Sequence, residues 1–512
     1  MASANNRVIV KNTLVLYAQM MLSVVIGLYT GRVVLSALGV VDYGIYNIAG
    51  GVVSSLWFIT SALASTSTRY LIYGLGKGDI VELKRTFGNI RVVHLALAAI
   101  IFLFAETIGL WFVIHKLIIP AERLSAAIWV YQFSVLSFVV AVISAPYNGA
   151  IIAHEKMTVF AYITIWENIL KLVIVYLIII APFDRLVFYA LLLLCVQIQS
   201  RLIYGFYCTK HFEESRGRMK FNNGQFKGIF SYASWMCMGN VAHMLCREGF
   251  NILLNLFYGP VVNAARGLAV MIEGIVSSLG SEFQVAMKPQ IIKNYAEGDI
   301  DHMKLLVFKG AKFSFFISFA VSLPVMLEIH QFLDWWLVEV PQWTSQFTIV
   351  ILAISCVEVV GISLYNAVSA SGSVKKYQMG QAVVLLSFLP FTYLVLKFTS
   401  VNPVFPFIIQ FVFYIISCTV SALIALRQLH IPAFDYVRYT VIPIVGVLVL
   451  SSIVPLLLRF SCEDSFFSFI VVCAVSVLSV ILTGYAIGCT KQERCVLKAE
   501  LLKRINLCSN AK

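Results

Sequence analysis

Residues 158–207 read TVFAYITIWENILKLVIVYLIIIAPFDRLVFYALLLLCVQIQSRLIYGFY. Two apolar runs, 158–181 and 186–207, flank a short turn containing Pro182, Asp184 and Arg185. Each run supplies the ~20 residues that a helix rising 1.5 Å per residue needs to cross ~30 Å of hydrocarbon. The stretch is therefore a pair of membrane helices joined by a tight outer turn. Reading outward, further apolar runs fall at 12–34, 44–66, 90–113, 126–149, 229–257, 262–287, 306–329, 346–370, 378–398, 405–426, 439–458 and 466–489. The 512 residues are 60% hydrophobic and 12% charged, against roughly 25% charged in soluble domains. The expected fold class is an all-α polytopic membrane protein of about 14 transmembrane helices.

The net charge of +13 does not indicate a nucleic-acid binder, because the basic residues sit in connections between apolar runs rather than on one soluble face. With the N-terminus assigned to the cytoplasm, basic residues favour the cytoplasmic side by about four to one. The even number of runs places the C-terminus on the same side. The start of the chain, Met1–Lys11, is short and polar and leads into a full-length run, so no cleavable signal peptide is expected. Of the 11 cysteines, Cys195, Cys237, Cys246, Cys356, Cys418 and Cys473 lie in apolar stretches. No CxxC pair or Cys/His metal spacing occurs, and the cysteines read as small packing residues. No Walker-type phosphate loop, GxSxG elbow or HExxH motif is present, and no connection is long enough for a soluble catalytic domain. Neither enzymatic activity nor a cofactor is expected, and a filter-like loop that would mark a channel is missing too.

The chain repeats. A shift of 220 places Gly78-Asp79-Ile80 on Gly298-Asp299-Ile300, each in a basic loop after an even-numbered run. The same shift pairs Gly39 with Gly259, Ser61 with Ser281 and Lys84 with Lys304, and a shift of 218 pairs Tyr147-Asn148 with Tyr365-Asn366. An even number of spans per unit relates the repeats by a pseudo-two-fold along the membrane normal. The expected organisation is an N-terminal six-helix lobe over 1–207, a basic linker over 208–227, a second six-helix lobe over 228–427, and two appended helices with a basic tail over 428–512.

Polar side chains inside membrane helices are costly and concentrate where a bundle interior or wet cavity receives them. The first run carries Asn12, Gln19, Ser23 and Thr30; the second carries Asn47, Ser54, Ser61, Ser65 and Thr68. The seventh carries Asn240, His243, Arg247 and Asn251, and the eighth Arg266, Glu273, Ser277, Ser281, Gln284 and Lys288. Steps of three, four and seven put each set on one helix face. Corresponding runs of the two halves are thus the most polar, which fits a central cavity lined by helices 1, 2, 7 and 8. The competing account is close helix packing through small polar residues. Arg247 resists it, because a mid-span guanidinium needs a counter-ion, an anionic ligand or water. Glu106, Glu282 and Glu358 are further intramembrane carboxylates without an evident local partner, whereas Glu167 and Lys171 stand four apart and can pair.

Arg32 with Leu38-Gly39, Tyr43-Gly44 and Tyr46, the segment Ser61–Arg69, and the turn from Pro146-Tyr147-Asn148 to His154-Glu155-Lys156 stand in this order on a six-plus-six-plus-two plan. In these features the sequence resembles the bacterial polysaccharide flippases, the O-antigen and capsule repeat-unit transporters of the multidrug/oligosaccharidyl-lipid/polysaccharide (MOP) exporter superfamily. The second half departs from the first, with Ile252 in place of Arg32 and Asn263-Ala264 in place of Tyr43-Gly44. The resemblance implies that an undecaprenyl-pyrophosphate-linked oligosaccharide moves from the cytoplasmic to the periplasmic leaflet of a bacterial inner membrane by alternating access. Polysaccharide polymerase and glycosyltransferases are the implied partners. On this reading the expected substrate-binding residues are Arg32, Asn240, His243, Arg247, Asn251 and Arg266, since Arg offers forked donors to phosphate. Glu106, Glu273 and Glu282 are the expected ion-coupling groups. A cation-coupled drug exporter, a lipid II flippase and a membrane scaffold without transport are the alternatives; the positive charges of the polar helices favour an anionic substrate over a cationic drug.

Overall fold

The computed structural model describes residues 2–54, 56–115, 119–180, 184–217, 222–336, 340–461, 463, 465–491 and 493–495. Those residues are helical nearly throughout, with no strand. In chain order the helices are α1 (Ala2–Ser54), α2 (Trp57–Lys77), α3 (Ile80–Phe104), α4 (Leu110–His115), α5 (Leu124–Ala153), α6 (Met157–Ile180), α7 (Arg185–His211) and α8 (Asn223–Tyr258). They continue with α9 (Pro260–Glu297), α10 (Ile300–Leu327), α11 (Ile329–Trp336), α12 (Thr344–Ser371), α13 (Lys375–Phe398) and α14 (Phe405–Gln428). The last are α15 (Ala433–Tyr436), α16 (Ile442–Ser461) and α17 (Phe466–Thr483).

Eleven segments among the described residues are long and apolar enough to cross a membrane. The expected runs 12–34, 44–66 and 229–257 are not among them. These are three of the four runs in which polar side chains concentrate. A second difference concerns the first connection. No break occurs between runs one and two: α1 continues through 35–43, and the chain leaves it only near Leu56. No proline stands between residues 12 and 66, so nothing in the backbone obliges a stop there.

Two compact units emerge. Unit 1 comprises Met1–Met244, Pro289–Asp299 and Ser369–Gln378. Its core forms where α5 buries Tyr131, Val135, Phe138 and Val142 against Ala98 and Ile101 of α3 and Leu186 and Ala190 of α7. Toward the basic end a second core joins Phe87, Ile90, Tyr147 and Ile151 to Ile292 and Ala370. The Tyr131 hydroxyl donates to the Ala105 carbonyl at 2.7 Å and abuts Gly109. That insertion accounts for the π-turn Ala105–Gly109 between α3 and α4. At the other end Arg123 bonds Asp42 through Nε at 2.8 Å and Asp184 through Nη1 at 2.5 Å. Asp184 also caps α7, accepting from Leu186 N and Val187 N. Burial opposes its ionisation, but those backbone donors and Arg123 hold its carboxyl below the usual carboxylate range.

Unit 2 comprises Leu245–Lys288, Ile300–Val368 and Met379–Lys512. One core stacks Phe250, Phe347, Phe388 and Phe407, with ring centroids 4.0–5.2 Å apart. Another joins Phe315, Phe316 and Phe319 of α10 to Val447 of α16 and Val480 of α17. The two appended helices therefore rest on α10. Their outer faces expose Val445, Val449, Leu457, Leu478 and Leu482, as lipid contact allows.

The repeated triplets adopt one local structure. Gly78 and Gly298 both take the left-handed conformation, with φ of 75° and 81°. Each donates to the carbonyl three residues back, Leu75 and Tyr295, at 3.2 Å. Asp79 then caps α3, accepting from Val81 N and Glu82 N.

Candidate functional site

Helices α8 and α9 form a hairpin through Gly259, whose φ of 81° is one that glycine adopts without a Cβ penalty. Within unit 2 this hairpin returns Arg266 to Arg247 and Asn251. Arg266 donates through Nη1 to Asn251 Oδ1 at 3.1 Å and through Nη2 to the Arg247 carbonyl at 3.0 Å. Its guanidinium also lies 5.6 Å from the Phe250 ring centroid. Arg266 is only 8% exposed, so its donors serve the fold. Arg247 is different. Its side chain is exposed, and its guanidinium has no hydrogen-bond or ion-pair partner among the described residues. The site therefore holds one committed arginine and one free one.

Two carboxylates lie within the electrostatic reach of Arg247: Glu273 of α9 and Glu358 of α12. The Ser355 and Ser277 hydroxyls lie close to Glu273. Tyr414 of α14 faces both carboxylates electrostatically. On α9, Arg266 and Glu273 are seven residues apart and share a face, whereas Glu282 falls nine residues beyond Glu273 and points to the opposite side. No ion pair involving Glu282 occurs among the described residues.

The remaining expected residues have other surroundings. The side chain of Arg32 lies outside the described residues. Asn240 and His243 belong to unit 1, and each has interactions of its own. Glu106, also in unit 1, accepts from Gln132 Nε2 at 2.9 Å, while its other carboxylate oxygen is buried without a hydrogen-bond partner. The polar face of α1 turns toward α6, where Ser23 Oγ receives Gln19 Nε2 at 3.0 Å and Asn168 Nδ2 at 2.7 Å. Further along α9, the polar stripe becomes structural. Gln284 donates to Gly310 O, Ser314 Oγ and Ser363 Oγ at 2.7–3.1 Å and accepts from Asn366. Ser355 and Tyr414 join the site without any signal in a single sequence. Glu358 is visible there as a lone charge, but not as a neighbour of Arg247.

No family model and no curated protein matches the sequence. Solved structures do match in shape. A mutant MATE superposes with a TM-score of 0.73 at 13% identity, covering 82% of this chain and 96% of the other. An outward-facing multidrug resistance MATE family transporter of the MOP superfamily gives 0.72 at 14% identity, covering 83% and 96%. The chain has the MATE transporter fold. A third match is a MOP superfamily transporter from Pyrococcus furiosus, described as having a binding pocket of reverse polarity that suggests a different function. It gives a TM-score of 0.68 at 14% identity, covering 82% and 96%. The neighbours are nearly fully covered, while about a sixth of this chain lies outside the match. That length is close to the length of the segment following Gln428. The all-helical architecture expected from the apolar runs is the one observed, with eleven segments among the described residues long and apolar enough to cross a membrane.

Proposed function

We propose that this protein is a flippase that moves an undecaprenyl-pyrophosphate-linked oligosaccharide between the leaflets of a bacterial inner membrane, with both termini cytoplasmic. The observation that carries the reading is the free guanidinium of Arg247 beside the committed Arg266. A guanidinium at membrane depth with no protein acceptor is expensive unless water or an anionic ligand receives it. Pyrophosphate matches its forked donors. Arg266 supplies further positive potential and fixes the backbone of Arg247, while Asn251 orients Arg266. The Pyrococcus furiosus transporter, whose binding pocket of reverse polarity suggests a different function, is a precedent within the same fold for variation in pocket charge. The polymerase and glycosyltransferases of the same polysaccharide would be its partners.

The carboxylates of Glu273 and Glu358 favour a second reading, a cation-coupled drug exporter, because they supply the negative charge that a cationic substrate requires. Deletion followed by leaflet-resolved analysis of lipid-linked intermediates separates the two. Accumulation of the intermediates on the cytoplasmic leaflet, reproduced by Arg247→Ala at normal protein level, is the expected result. Unchanged intermediates together with new drug sensitivity would select the exporter.

A further inference from the structure

Helix α12 ends at Ser371, so its last carbonyls have few backbone donors left; the Ser369 carbonyl keeps one, from Gly372 N at 3.1 Å. Arg69 of α2 adds side-chain donors. Its Nε donates to Ser369 O at 2.9 Å and its Nη2 to Ala370 O at 3.0 Å. The guanidinium is enclosed by the rings of Tyr70, Tyr73 and Tyr232, at 4.5, 5.1 and 5.4 Å from their centroids. The Tyr232 hydroxyl in turn bonds Ser369 Oγ at 2.7 Å. Gly372 follows with φ of 76°, and a Cβ there would strike Arg69 Nη2. Arg69 is 7% exposed, yet it pairs with no carboxylate among the described residues.

Two further contacts lie in this part of unit 1. Gln290 Nε2 donates to Glu155 Oε1 at 2.6 Å, and a Cβ built on Gly76 would lie 2.7 Å from that of Ala296. The segments 289–299 and 369–378 come from the second half of the sequence, yet both belong to unit 1. The attachment of one of them centres on Arg69.

A buried guanidinium without a counter-ion loses hydration that carbonyl dipoles and aromatic faces only partly replace. The negative end of a helix dipole helps, but less than a carboxylate would. When 369–378 leaves, Arg69 regains water, and that gain offsets the two lost hydrogen bonds. An ion pair would hold more tightly; this arrangement is balanced for release. We infer that Arg69 is a releasable latch, closing the basic end of unit 1 on segment 369–378 and freeing it during transport. The inference rests on alternating access but on no particular substrate.

The test uses the full-length protein in native membrane vesicles with one added cysteine at Ala370, a fully buried position of the latched segment. Labelling of this cysteine by an impermeant maleimide added at the basic side, compared with membranes lacking the added cysteine, should be slow when Arg69 is present. In an Arg69→Gln background the closed-to-open ratio should fall about tenfold, equivalent to about 1.4 kcal/mol. Faster labelling of the added cysteine would report that fall. Labelling unchanged by Arg69→Gln would overturn the latch. If Arg69→Gln does not accumulate, Tyr232→Phe decides. It removes the hydroxyl that bonds Ser369 while keeping the ring beside Arg69, and should give a smaller shift in the same direction; no shift would again overturn the latch. Because the readout is independent of transported cargo, the latch and the flippase reading can fail separately.

Discussion

Lys312 of α10 and Glu493 form a buried ion pair, with Nζ 3.0 Å from Oε2 and 3.3 Å from Oε1. Lys312 also donates to the Gly488 carbonyl at 3.2 Å. Glu493 is fixed by a reciprocal cap: its Oε2 accepts from Thr490 N at 2.8 Å, and its own N–H donates to Thr490 Oγ1 at 3.3 Å. Just past the C-terminus of α10, Arg459 of α16 approaches Glu328 at 3.5 Å. The C-terminal segment is thus tied to α10 by charge at Lys312 in mid-helix and at Glu328 just past its C-terminus, with the apolar packing of Phe315, Phe316 and Phe319 between.

Glu493→Gln should lower stability by about 3–5 kcal/mol, because it leaves the Lys312 charge buried without its partner. Thermal unfolding in detergent measures this, and the double change Lys312→Met with Glu493→Gln should recover much of the loss. Equal melting of the single and double variants would exclude a coupled pair.

The same tether has a pH signature. Burial opposes ionisation of Glu493, but the Thr490 backbone donor and the Lys312 charge together hold its carboxyl below the usual carboxylate range. A depressed carboxylate contributes fully above its unfolded value of about 4.3 and loses that contribution as pH falls through the folded value. Unfolding of the wild type should therefore be pH-independent from this source near neutrality. Below about pH 4 its advantage over Glu493→Gln should shrink.

Arg247 and Arg266 should respond oppositely to truncation. Arg247→Ala removes an exposed, uncommitted side chain, and should cost transport while leaving the melting temperature nearly unchanged. Arg266→Ala deletes two charge-assisted bonds across the α8–α9 hairpin and should destabilise by about 2–4 kcal/mol. Melting curves paired with leaflet-resolved lipid analysis check both, and comparable destabilisation by the two variants would contradict the assignment.

Gln284→Leu should unfold more easily by about 2–4 kcal/mol, since the Gly310 carbonyl, Ser314, Ser363 and Asn366 would lose their shared partner. Gln284→Glu is a useful companion, because it keeps the volume but removes every amide donor. Retention of wild-type melting by Gln284→Leu would show that the network contributes nothing to stability.

Gly78→Ala and Gly298→Ala should each cost about 1–2 kcal/mol, the strain of placing a Cβ in the left-handed region. Matching losses by chemical or thermal unfolding would support the equivalence of the two turns, whereas a neutral result at either would break it.

Much of the architecture was legible in the amino-acid order because its causes are local. Apolar length announces a membrane helix, as in 158–207. The triplets beginning at Gly78 and Gly298 announce equivalent turns. Helical periodicity also placed Arg266 and Glu273 on one face, as it placed Arg247 and Asn251. What periodicity leaves open is the partner opposite that face. Only tertiary structure committed Arg266 to Asn251 while leaving Arg247 free. It likewise made Gln284 a packing hub, turned Ser23 toward Asn168, and set Glu358 and Tyr414 near Arg247 from distant helices. It also carried α1 unbroken through the connection expected near residue 40. The physical reason is common to these cases: a membrane helix forms from its own hydrogen bonds, whereas the role of a polar side chain depends on which acceptor, cation or water another helix brings to it.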